Sequence, residues 1–258
     1  MKITVAIITR NEEDRLPDAL VSVPWADEIV VVDAESTDRT VEVARRYTDR
    51  VLVRPWPGYA AQKNYADSQA ANRWIFSLDA DERVSPELSK AILEWKLHDP
   101  DCEGYRVARR ARYLGRWIRH AGWYPDYQLR LYRRDRAQWR GEFVHESVDV
   151  DGRIGTLSGD LLHFTRRNLE EHHEVLGQYT QLASQSDQHQ GRNVSFLDLL
   201  FRPPSVFLRT YVLRLGFLDG VAGLVIAYFA AYYSFLRLAK TWESQRLPGG
   251  WGNPGATK

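Results

Sequence analysis

Apolar and polar positions alternate in blocks along the first hundred residues, and these blocks predict strands separated by helices. Residues 3–9 form a continuous β-branched run, and residues 28–33 and 74–78 are similarly apolar. Such runs are typical of parallel strands buried on both faces. A shorter strand is predicted at 50–53, and helical patterns fill the intervals at residues 16–23, 40–47 and 59–71 and from Ser85 onward. Strands that alternate with helices indicate a mostly parallel α/β sheet with helices on both faces.

The pattern changes in the second half of the chain. Residues 104–164 contain aromatic and arginine-rich runs separated by turn residues, which predict an antiparallel extension of the sheet. A polar helix is predicted at 166–190, and an apolar helix that begins at Phe196 is expected to be interrupted at Pro203 and Pro204. We expect the following division: a sheet domain at 1–165 with halves at 1–100 and 101–165, a helical region at 166–243, and a flexible tail at 244–258.

Residues 215–236 are nearly all apolar, with Asp219 the only charge. This length is close to the roughly 20 residues that cross a bilayer. The uninterrupted part, 220–236, is shorter and contains tyrosines and small residues. We expect a helix at the membrane surface first, a contact between subunits second and a true span third, with a buried core helix as the remaining interpretation.

Composition and charge narrow the class of protein. A chain of 258 residues that is 44% hydrophobic can bury one large domain, or one domain with a smaller appendage. The net charge of +1 hides a cluster of arginines between residues 106 and 140, which favours a phosphate-bearing partner over a merely solvated basic surface.

Cys102 has no partner for an internal disulfide. Met1 and Lys2 lead into a strand without a signal-peptide pattern, so we expect the catalytic part in the cytoplasm.

Two carboxylates follow the apolar run at 74–78. Alternate side chains of an extended strand share a face, and ligands of open α/β sheets bind at that edge, so we expect Asp79 and Asp81 to point into one site. They would repel each other unless a cation lies beside them. Hard oxygen ligands suit Mg²⁺ or Mn²⁺ bridging a diphosphate. The same triplet at 99–101 and 149–151 lies in predicted turns, so the preceding strand is what distinguishes Asp79 and Asp81.

Glycine patterns exclude some nucleotide-binding proteins. Neither Gly-x-Gly-x-x-Gly nor a Gly-Lys-Ser/Thr loop follows the first strand, which counts against a dinucleotide-binding dehydrogenase. A sugar-phosphate nucleotidyltransferase remains an alternative, although it would need a glycine-rich loop where Thr9 to Glu12 stand. A nucleic-acid-binding module would explain the arginines and aromatics but not the acids at the strand ends.

Several segments together resemble glycosyltransferase family 2, the inverting enzymes of the GT-A fold. The resemblance is carried by residues 7–12, 31–38 and Asp79-Ala80-Asp81. Residues 62–64, 130–133 and 144–146 follow in the order of bacterial lipopolysaccharide-core glycosyltransferases of the β-1,4-glucosyltransferase type. The resemblance covers residues 1 to about 243.

The resemblance implies specific roles for these residues. It implies that a nucleotide-sugar donor, UDP-linked, is bound by Thr9, Asn11, Glu12, Asp33, Glu35, Lys63 and Asp79. It implies that Mg²⁺ or Mn²⁺ is bound by Asp81 and Asp79, with His163 or His145 completing the shell. It implies that Glu146 is the base for the acceptor hydroxyl, and its apolar neighbours Phe143 and Val144 would raise the pKa of its carboxyl. We expect the acceptor to contact Asp126, Arg130 and His145.

Structural alternatives remain for two of these residues, since Asp33 can cap the next helix and Lys63 can be a solvated helix residue. The implied acceptor is a phosphorylated, lipid-linked saccharide such as the lipopolysaccharide inner core, and the transferred sugar is glucose or a related hexose. We expect the enzyme at the inner face of the bacterial cytoplasmic membrane, on an anionic surface, with no nucleic-acid partner and with the C-terminal helices available for homo-oligomer contacts.

Overall fold

The computed structural model describes residues 1–141, 146–165 and 168–246. The chain forms two compact units. The first contains Met1–Ala111 and Pro125–Phe164, and the second contains Arg112–Tyr124 and Thr165–Lys258. Residues 112–124, which the sequence grouped with the sheet domain, therefore lie in the helical unit.

The first unit is built around a mixed sheet, to which all of the strands named here except β9 and β10 belong. The strands are β1 (Ile3–Thr9), β2 (Glu28–Asp33), β3 (Val51–Val53), β4 (Trp74–Asp79), β5 (Glu82–Val84), β6 (Gly104–Tyr113), β7 (Arg116–Trp117), β8 (Asp126–Arg133), β9 (Ala137–Arg140), β10 (Ser147–Val150) and β11 (Ile154–His163). The order across the sheet is β3-β2-β1-β4-β8-β6-β11-β5, while β7 pairs with β6 and β9 pairs with β10 in a separate small sheet.

The direction of the strands divides this sheet into two parts. β1 to β4 are parallel neighbours, as the alternating pattern predicts. β8 then runs antiparallel to both β4 and β6, and β5 runs antiparallel to β11. The predicted α/β class is confirmed. The predicted antiparallel extension contains one parallel pair, because β11 runs parallel to β6.

Helices cover both faces of the parallel half. They are α1 (Leu16–Val21), α2 (Thr40–Ala44), α3 (Tyr59–Gln69) and α4 (Pro86–Lys96). Val5 and Ile7 pack in one core with α1, α2 and α4, whereas Ala6 packs on the opposite face with Ala66 of α3. Successive side chains of a strand point to opposite faces, so an uninterrupted apolar strand supplies both cores.

The second unit is mostly helical. Its helices are α5 (Leu169–His189), α6 (Phe196–Leu208) and α7 (Gly220–Arg246). A π-helical turn, Arg209–Leu213, and a 3₁₀ turn, Gly216–Asp219, connect α6 to α7, and α7 packs against both α5 and α6. The buried Asp219 accepts hydrogen bonds from the backbone N–H groups of Arg119 and His120, which attaches the segment before β8 to this unit.

The predicted interruption at Pro203 and Pro204 is wrong, because both residues lie inside α6. Proline fixes φ near the helical value, so the chain keeps its helical path although two backbone N–H donors are lost. By length and composition, the helical stretch Gly216–Arg246 is apolar enough to cross a membrane, since its most apolar 18-residue window has a mean hydropathy of 1.5.

Candidate active site

Asp79 ends β4 between two buried cations. Its Oδ1 accepts a hydrogen bond from Lys63 Nζ of α3 at 2.8 Å, and its Oδ2 accepts one from Arg130 Nη2 of β8 at 2.8 Å. Lys63 is only 4% exposed and Arg130 only 3%. Burial alone would raise the pKa of Asp79, but the charges of Arg130 and Lys63 outweigh it and hold that pKa well below its usual range. Asp79 is therefore ionised and already neutralised by protein groups.

Glu82, the first residue of β5, joins this ion pair to the antiparallel strands. It is fully buried, and its Oε1 accepts a hydrogen bond from Arg130 Nη2 at 2.6 Å and lies 3.6 Å from Arg109 Nη1. Burial raises the pKa of Glu82, the charge of Arg130 opposes this rise, and the charge of Asp79 adds to it. Arg109 also donates to Asp126 Oδ2 at 2.9 and 2.7 Å. The predicted acceptor residues Arg130 and Asp126 thus belong to one charge network with Asp79.

Asp81 has a separate partner, His163. β4 ends at Asp79 and Asp81 lies in the turn that follows, so the expectation that both acids belong to one extended strand is wrong. β11 pairs with β5 in a register that sets His163 opposite Glu82. His163 Nε2 lies 3.1 Å from Asp81 Oδ2, and both side chains are partly exposed.

Asp81 and His163 fit a divalent cation, because a carboxylate oxygen and an imidazole nitrogen are common ligands for such ions. Asp79 does not fit as a direct ligand while each of its oxygens accepts a hydrogen bond from a cationic side chain. Over the described ranges there is no group of three or more His, Cys, Asp and Glu side chains that could hold a metal. We therefore expect the protein to supply two ligands, with diphosphate oxygens and water completing the shell. His145, the other predicted ligand, lies outside the described residues.

The loops after β1 and β2 are tied to each other at the same edge of the sheet. Asp33 is fully buried, and its carboxylate accepts hydrogen bonds from Thr9 Oγ1 at 3.1 Å and from the Ser36 backbone N–H at 2.8 Å. Asn11 adopts a left-handed φ of 55° and accepts a hydrogen bond from the Thr37 N–H at 2.8 Å. Asp33 thus holds the turn that follows it. It does not cap the next helix, because α2 begins at Thr40 after Arg39 and has no side-chain cap. Its contact with a nucleoside stays a prediction.

Glu12 and Glu35 complete the predicted donor-binding edge. The backbone N–H of Glu12 donates to Thr40 Oγ1 at 2.8 Å, and the Glu12 carboxylate lies 3.8 Å from Arg15. Glu35 is exposed and has a left-handed φ of 55°. Strained backbone of this kind costs free energy and is concentrated at functional sites. Asn11 and Glu35 are the exposed members of this edge.

Lys63 is held from two sides. Its Nζ lies 4.4 Å from the centre of the Trp139 ring of β9, in addition to its bond with Asp79. The side chain of Asn64 exchanges two hydrogen bonds of 2.9 Å with the backbone of Trp139. Lys63 is therefore neither a solvated helix residue nor an isolated charge, and a phosphate that contacts it would share it with Asp79.

Glu146 lies just before β10, whose Val148 pairs with Trp139. It is partly buried, and none of the ion pairs between described residues involves it. The neighbouring residues 142–145, which include Phe143, Val144 and His145, lie outside the described part of the chain, so the predicted effect of those neighbours on Glu146 stays a prediction.

Glu82 and Arg109 are site residues that the sequence reading missed. Glu82 directly follows the Asp79-Ala80-Asp81 triplet, so its position was a signal. Its burial depends on β5 pairing with β11 near its end, at His163. Arg109 was one of many arginines in residues 106–140, and no local pattern singles it out.

The chain is similar in sequence to known glycosyltransferases. A family model described as Glycosyl transferase family 2 matches residues 4–149. A lipopolysaccharide core biosynthesis glycosyltransferase, LpsC of Rhizobium meliloti, is 32% identical over 254 residues that cover 96% of this chain and 94% of the relative. An uncharacterized glycosyltransferase of Rickettsia typhi, RT0209, is 34% identical over 254 residues that cover 94% of this chain and 87% of the relative.

Among solved structures, S. aureus TarS in complex with UDP aligns with 95% of this chain and 91% of its own, at 17% identity and a TM-score of 0.48. Glucosyl-3-phosphoglycerate synthase of Mycobacterium tuberculosis with Mg²⁺ and UDP aligns with 42% of this chain and 43% of its own, at 20% identity and a TM-score of 0.37.

Proposed function

The chain belongs to glycosyltransferase family 2, and from this membership we propose that it transfers a hexose, glucose or a close relative, from a UDP-sugar to a lipid-anchored saccharide acceptor. As a glycosyltransferase it is an enzyme, which sets aside the nucleotidyltransferase and nucleic-acid-binding interpretations. The observation that carries the proposal is the arrangement at the end of β4. There Asp81 pairs with His163 beside a neutralised Asp79.

The proposed reaction is a displacement at the anomeric carbon of the donor. The acceptor oxygen forms the new bond to that carbon, and the bond to the diphosphate oxygen breaks and leaves its electron pair on the diphosphate. A divalent cation, Mg²⁺ or Mn²⁺, held by Asp81 and His163 would stabilise the negative charge of the leaving group. Lys63 and Arg130 hold Asp79 in place, so that the turn carrying Asp81 starts from a fixed strand end.

Glu146 is the proposed base that accepts the proton of the acceptor hydroxyl. A general base must be free to take up a proton, and a carboxylate already bound to an arginine is poorly suited to this role. Within the described ranges Glu146 has no such partner. Asp126, the other carboxylate that is predicted to contact the acceptor, accepts two hydrogen bonds from Arg109.

The acceptor is proposed to be phosphorylated and lipid-linked, of the lipopolysaccharide inner-core type, and presented at the inner face of the cytoplasmic membrane. Two features support this. The relative in Rhizobium meliloti is named for lipopolysaccharide core biosynthesis. The helices of the second unit also expose large apolar side chains, among them Phe196, Phe201, Leu213 and Val221, as expected for a protein that associates with a bilayer.

The test is a transfer assay with a panel of nucleotide sugars and Mn²⁺, using the wild type, Asp81→Asn and Glu146→Gln. Asp81→Asn removes a charged ligand, so we expect turnover to fall on the order of 10²-fold or more. Glu146→Gln keeps the size of the side chain but removes its basicity, so we expect transfer to fall on the order of 10²-fold or more. Calorimetric affinity for the nucleotide with Mn²⁺ should fall only in Asp81→Asn.

Asp99→Asn is a matched control, because Asp99 belongs to an Asp-x-Asp triplet of the same spacing in a loop. It should keep full activity. Wild-type turnover in EDTA would contradict the metal role of Asp81. Normal turnover with a lowered melting temperature in Glu146→Gln would assign that residue a structural role and leave the base to another carboxylate.

A further inference from the structure

The helical unit contains a cavity of about 480 Å³ that the proposed sugar transfer does not use. Arginines dominate its charged lining, and apolar side chains of α6 and α7 complete the wall. The arginines are Arg192, Arg202, Arg209, Arg214 and Arg237. A volume of this size is within the range of small-molecule sites. No carboxylate is among the described residues that line it.

The arginines are only partly neutralised. Arg192 and Arg237 share the buried Asp187, with Nη–Oδ1 distances of 3.0 and 2.7 Å, so two positive charges face one negative charge. Arg202 has its own partner in Asp198 at 2.9 Å. Arg209 and Arg214 form no ion pair with any carboxylate in the described part of the chain. The cavity therefore carries an excess of positive charge, which favours an anionic ligand.

An uncommon backbone places the two unneutralised arginines. The π-helical turn begins at Arg209, and the Arg214 N–H donates to the Arg209 carbonyl at 2.8 Å. π-Helical turns are rare and occur frequently at functional sites. Leu215, which follows Arg214, has a left-handed φ of 55°, and this conformation costs free energy in a non-glycine residue.

Gly122 gives Arg214 its position. A Cβ at Gly122 would lie 2.4 Å from Arg214 Nη1, and the φ of Gly122 is 78°. The preceding residue, Ala121, also has a left-handed φ, 57°, and its N–H donates to the Arg214 carbonyl at 2.9 Å. Two strained residues, Ala121 and Leu215, thus lie next to the backbone that carries this cationic side chain.

We propose that this cavity binds the phosphomonoester group of an anionic lipid headgroup such as that of phosphatidic acid, whose two negative charges match the two unneutralised arginines. Guanidinium groups bind phosphate oxygens through paired hydrogen bonds, and Arg209 and Arg214 are available for them. The lipid source is indicated by the elements that line the cavity. α6 and the π-helical turn also expose Leu208 and Leu213, and α7 exposes Tyr228, so apolar surface continues from the same elements. This site goes beyond the proposed function, since binding there needs no donor and no transfer.

The test measures binding of the full chain, without nucleotide, to phosphatidylcholine vesicles that contain phosphatidic acid. Vesicles with phosphatidylserine at the same surface charge are compared, and inorganic phosphate in solution is titrated by calorimetry. Arg209→Gln and Arg214→Gln each remove one guanidinium. Arg119→Gln is the control, because Arg119 is an exposed arginine of the same unit that does not line the cavity.

We expect Arg209→Gln and Arg214→Gln each to weaken binding to phosphatidic acid about tenfold or more, the loss of one charged hydrogen bond. Arg119→Gln should change it by less than about threefold. Melting temperatures should stay equal. An equal loss for all three variants, or equal binding to both anionic lipids, would overturn the proposal. If inorganic phosphate binds through the same arginines but the vesicles do not bind, the ligand is free phosphate and the proposal of a lipid ligand is overturned.

The outcome is independent of catalysis. Asp81→Asn should bind vesicles as the wild type does, because Asp81 belongs to the sheet unit. If the wild type transfers no sugar but Arg214→Gln still weakens vesicle binding, the lipid site is supported and the proposed activity is contradicted. If the wild type transfers sugar to a soluble acceptor but Arg214→Gln and Arg119→Gln bind vesicles equally well, the proposed activity is supported and the lipid site is contradicted.

Discussion

Asp67 is a carboxylic acid buried in the core behind the active site. Tyr132 donates to its Oδ2 at 2.9 Å, and Trp139 Nε1 in turn donates to the Tyr132 hydroxyl at 2.8 Å. Its Oδ1 has no hydrogen-bond partner among the described residues. Burial raises the pKa of Asp67 to about 7, against the lowering effects of Tyr132 and Lys63. Asp67 is therefore protonated in the folded protein over a range where the unfolded chain is ionised.

This difference predicts how stability depends on pH. The folded state holds one more proton than the unfolded state between about pH 4 and pH 7, so the free energy of unfolding falls as pH rises through that window and levels above it. Asp67→Asn keeps an acceptor for Tyr132 and removes the titration. We expect the variant to gain stability relative to wild type from pH 4 to pH 8, by up to about 4 kcal/mol.

Urea unfolding at several pH values measures this change. Asp99→Asn, at an exposed acid, is the control and should follow the wild type. A constant difference between Asp67→Asn and wild type at all pH values would mean that Asp67 is ionised in the folded protein.

At the scale of the elements, β11 contacts α4 through an irregular step in its pairing with β6, between Thr156 and Asp160. Gly159 lies in this step with a φ of 94°, and a Cβ there would lie 2.3 Å from the backbone nitrogen of Leu88. Ser85, the N-cap of α4, donates its N–H to the Asp160 carbonyl at 3.1 Å. The step therefore attaches β11 to the start of α4.

Gly159→Ala should destabilise the protein by roughly 2–5 kcal/mol, because it combines a backbone clash with a disfavoured φ. Gly177→Ala is a matched control: Gly177 lies in α5, has nothing within 4 Å of an added Cβ, and should gain up to about 1 kcal/mol. Denaturant midpoints of both variants measure the effect. A Gly159→Ala protein as stable as the wild type would contradict the close packing of β11 on α4.

The elements that the sequence predicted well are those determined by local pattern. β1, β2 and β4 were evident because strands buried on both faces need continuous apolar runs, and the start of α4 was evident from Ser85 followed by proline. The path of α6 through Pro203 and Pro204 was not evident, because the proline rule describes a local cost and does not include the contacts of α6 with α7.

The site was predictable only in part, for a related reason. Acids at strand ends can be read from the chain, whereas their partners come from distant strands. The pairing of Asp81 with His163 joins residues 82 positions apart, and it requires the register of β5 on β11. The burial of Lys63 requires β9 to bring Trp139 onto α3. Pairing of this kind is set by the tertiary structure, which local periodicity does not encode.

At the scale of the whole molecule, the exposed apolar side chains of α6 predict membrane association. Leu197 and Phe201 are 61% and 63% exposed and lie one helical turn apart. Replacing both with Gln should reduce flotation with neutral phosphatidylcholine vesicles at least about tenfold, because each buried apolar side chain contributes about 1.5–3 kcal/mol. Neutral vesicles exclude any contribution from the arginine-lined cavity.

The control replaces Leu93 of α4 and Leu97, the residue directly after α4, with Gln. These residues have the same spacing and are also exposed, but they belong to the sheet unit. Flotation should not change. If the α6 variant floats like the wild type while its oligomeric state changes, the apolar surface of α6 is a contact between subunits.

The position of β11 also bears on synthesis of the protein on the ribosome. Of the strands in the described part of the chain, β11 is translated last, yet it lies between β6 and β5 and carries His163 to Asp81. The parallel strands can assemble from the first part of the chain, since domains begin to fold from the N-terminus as they emerge. Until β11 has emerged, β5 has no strand to pair with and Asp81 lacks the imidazole of His163. A nascent or prematurely terminated chain therefore holds Asp79 and Asp81 without the histidine, and the proposed metal site is complete only once residue 163 has been added.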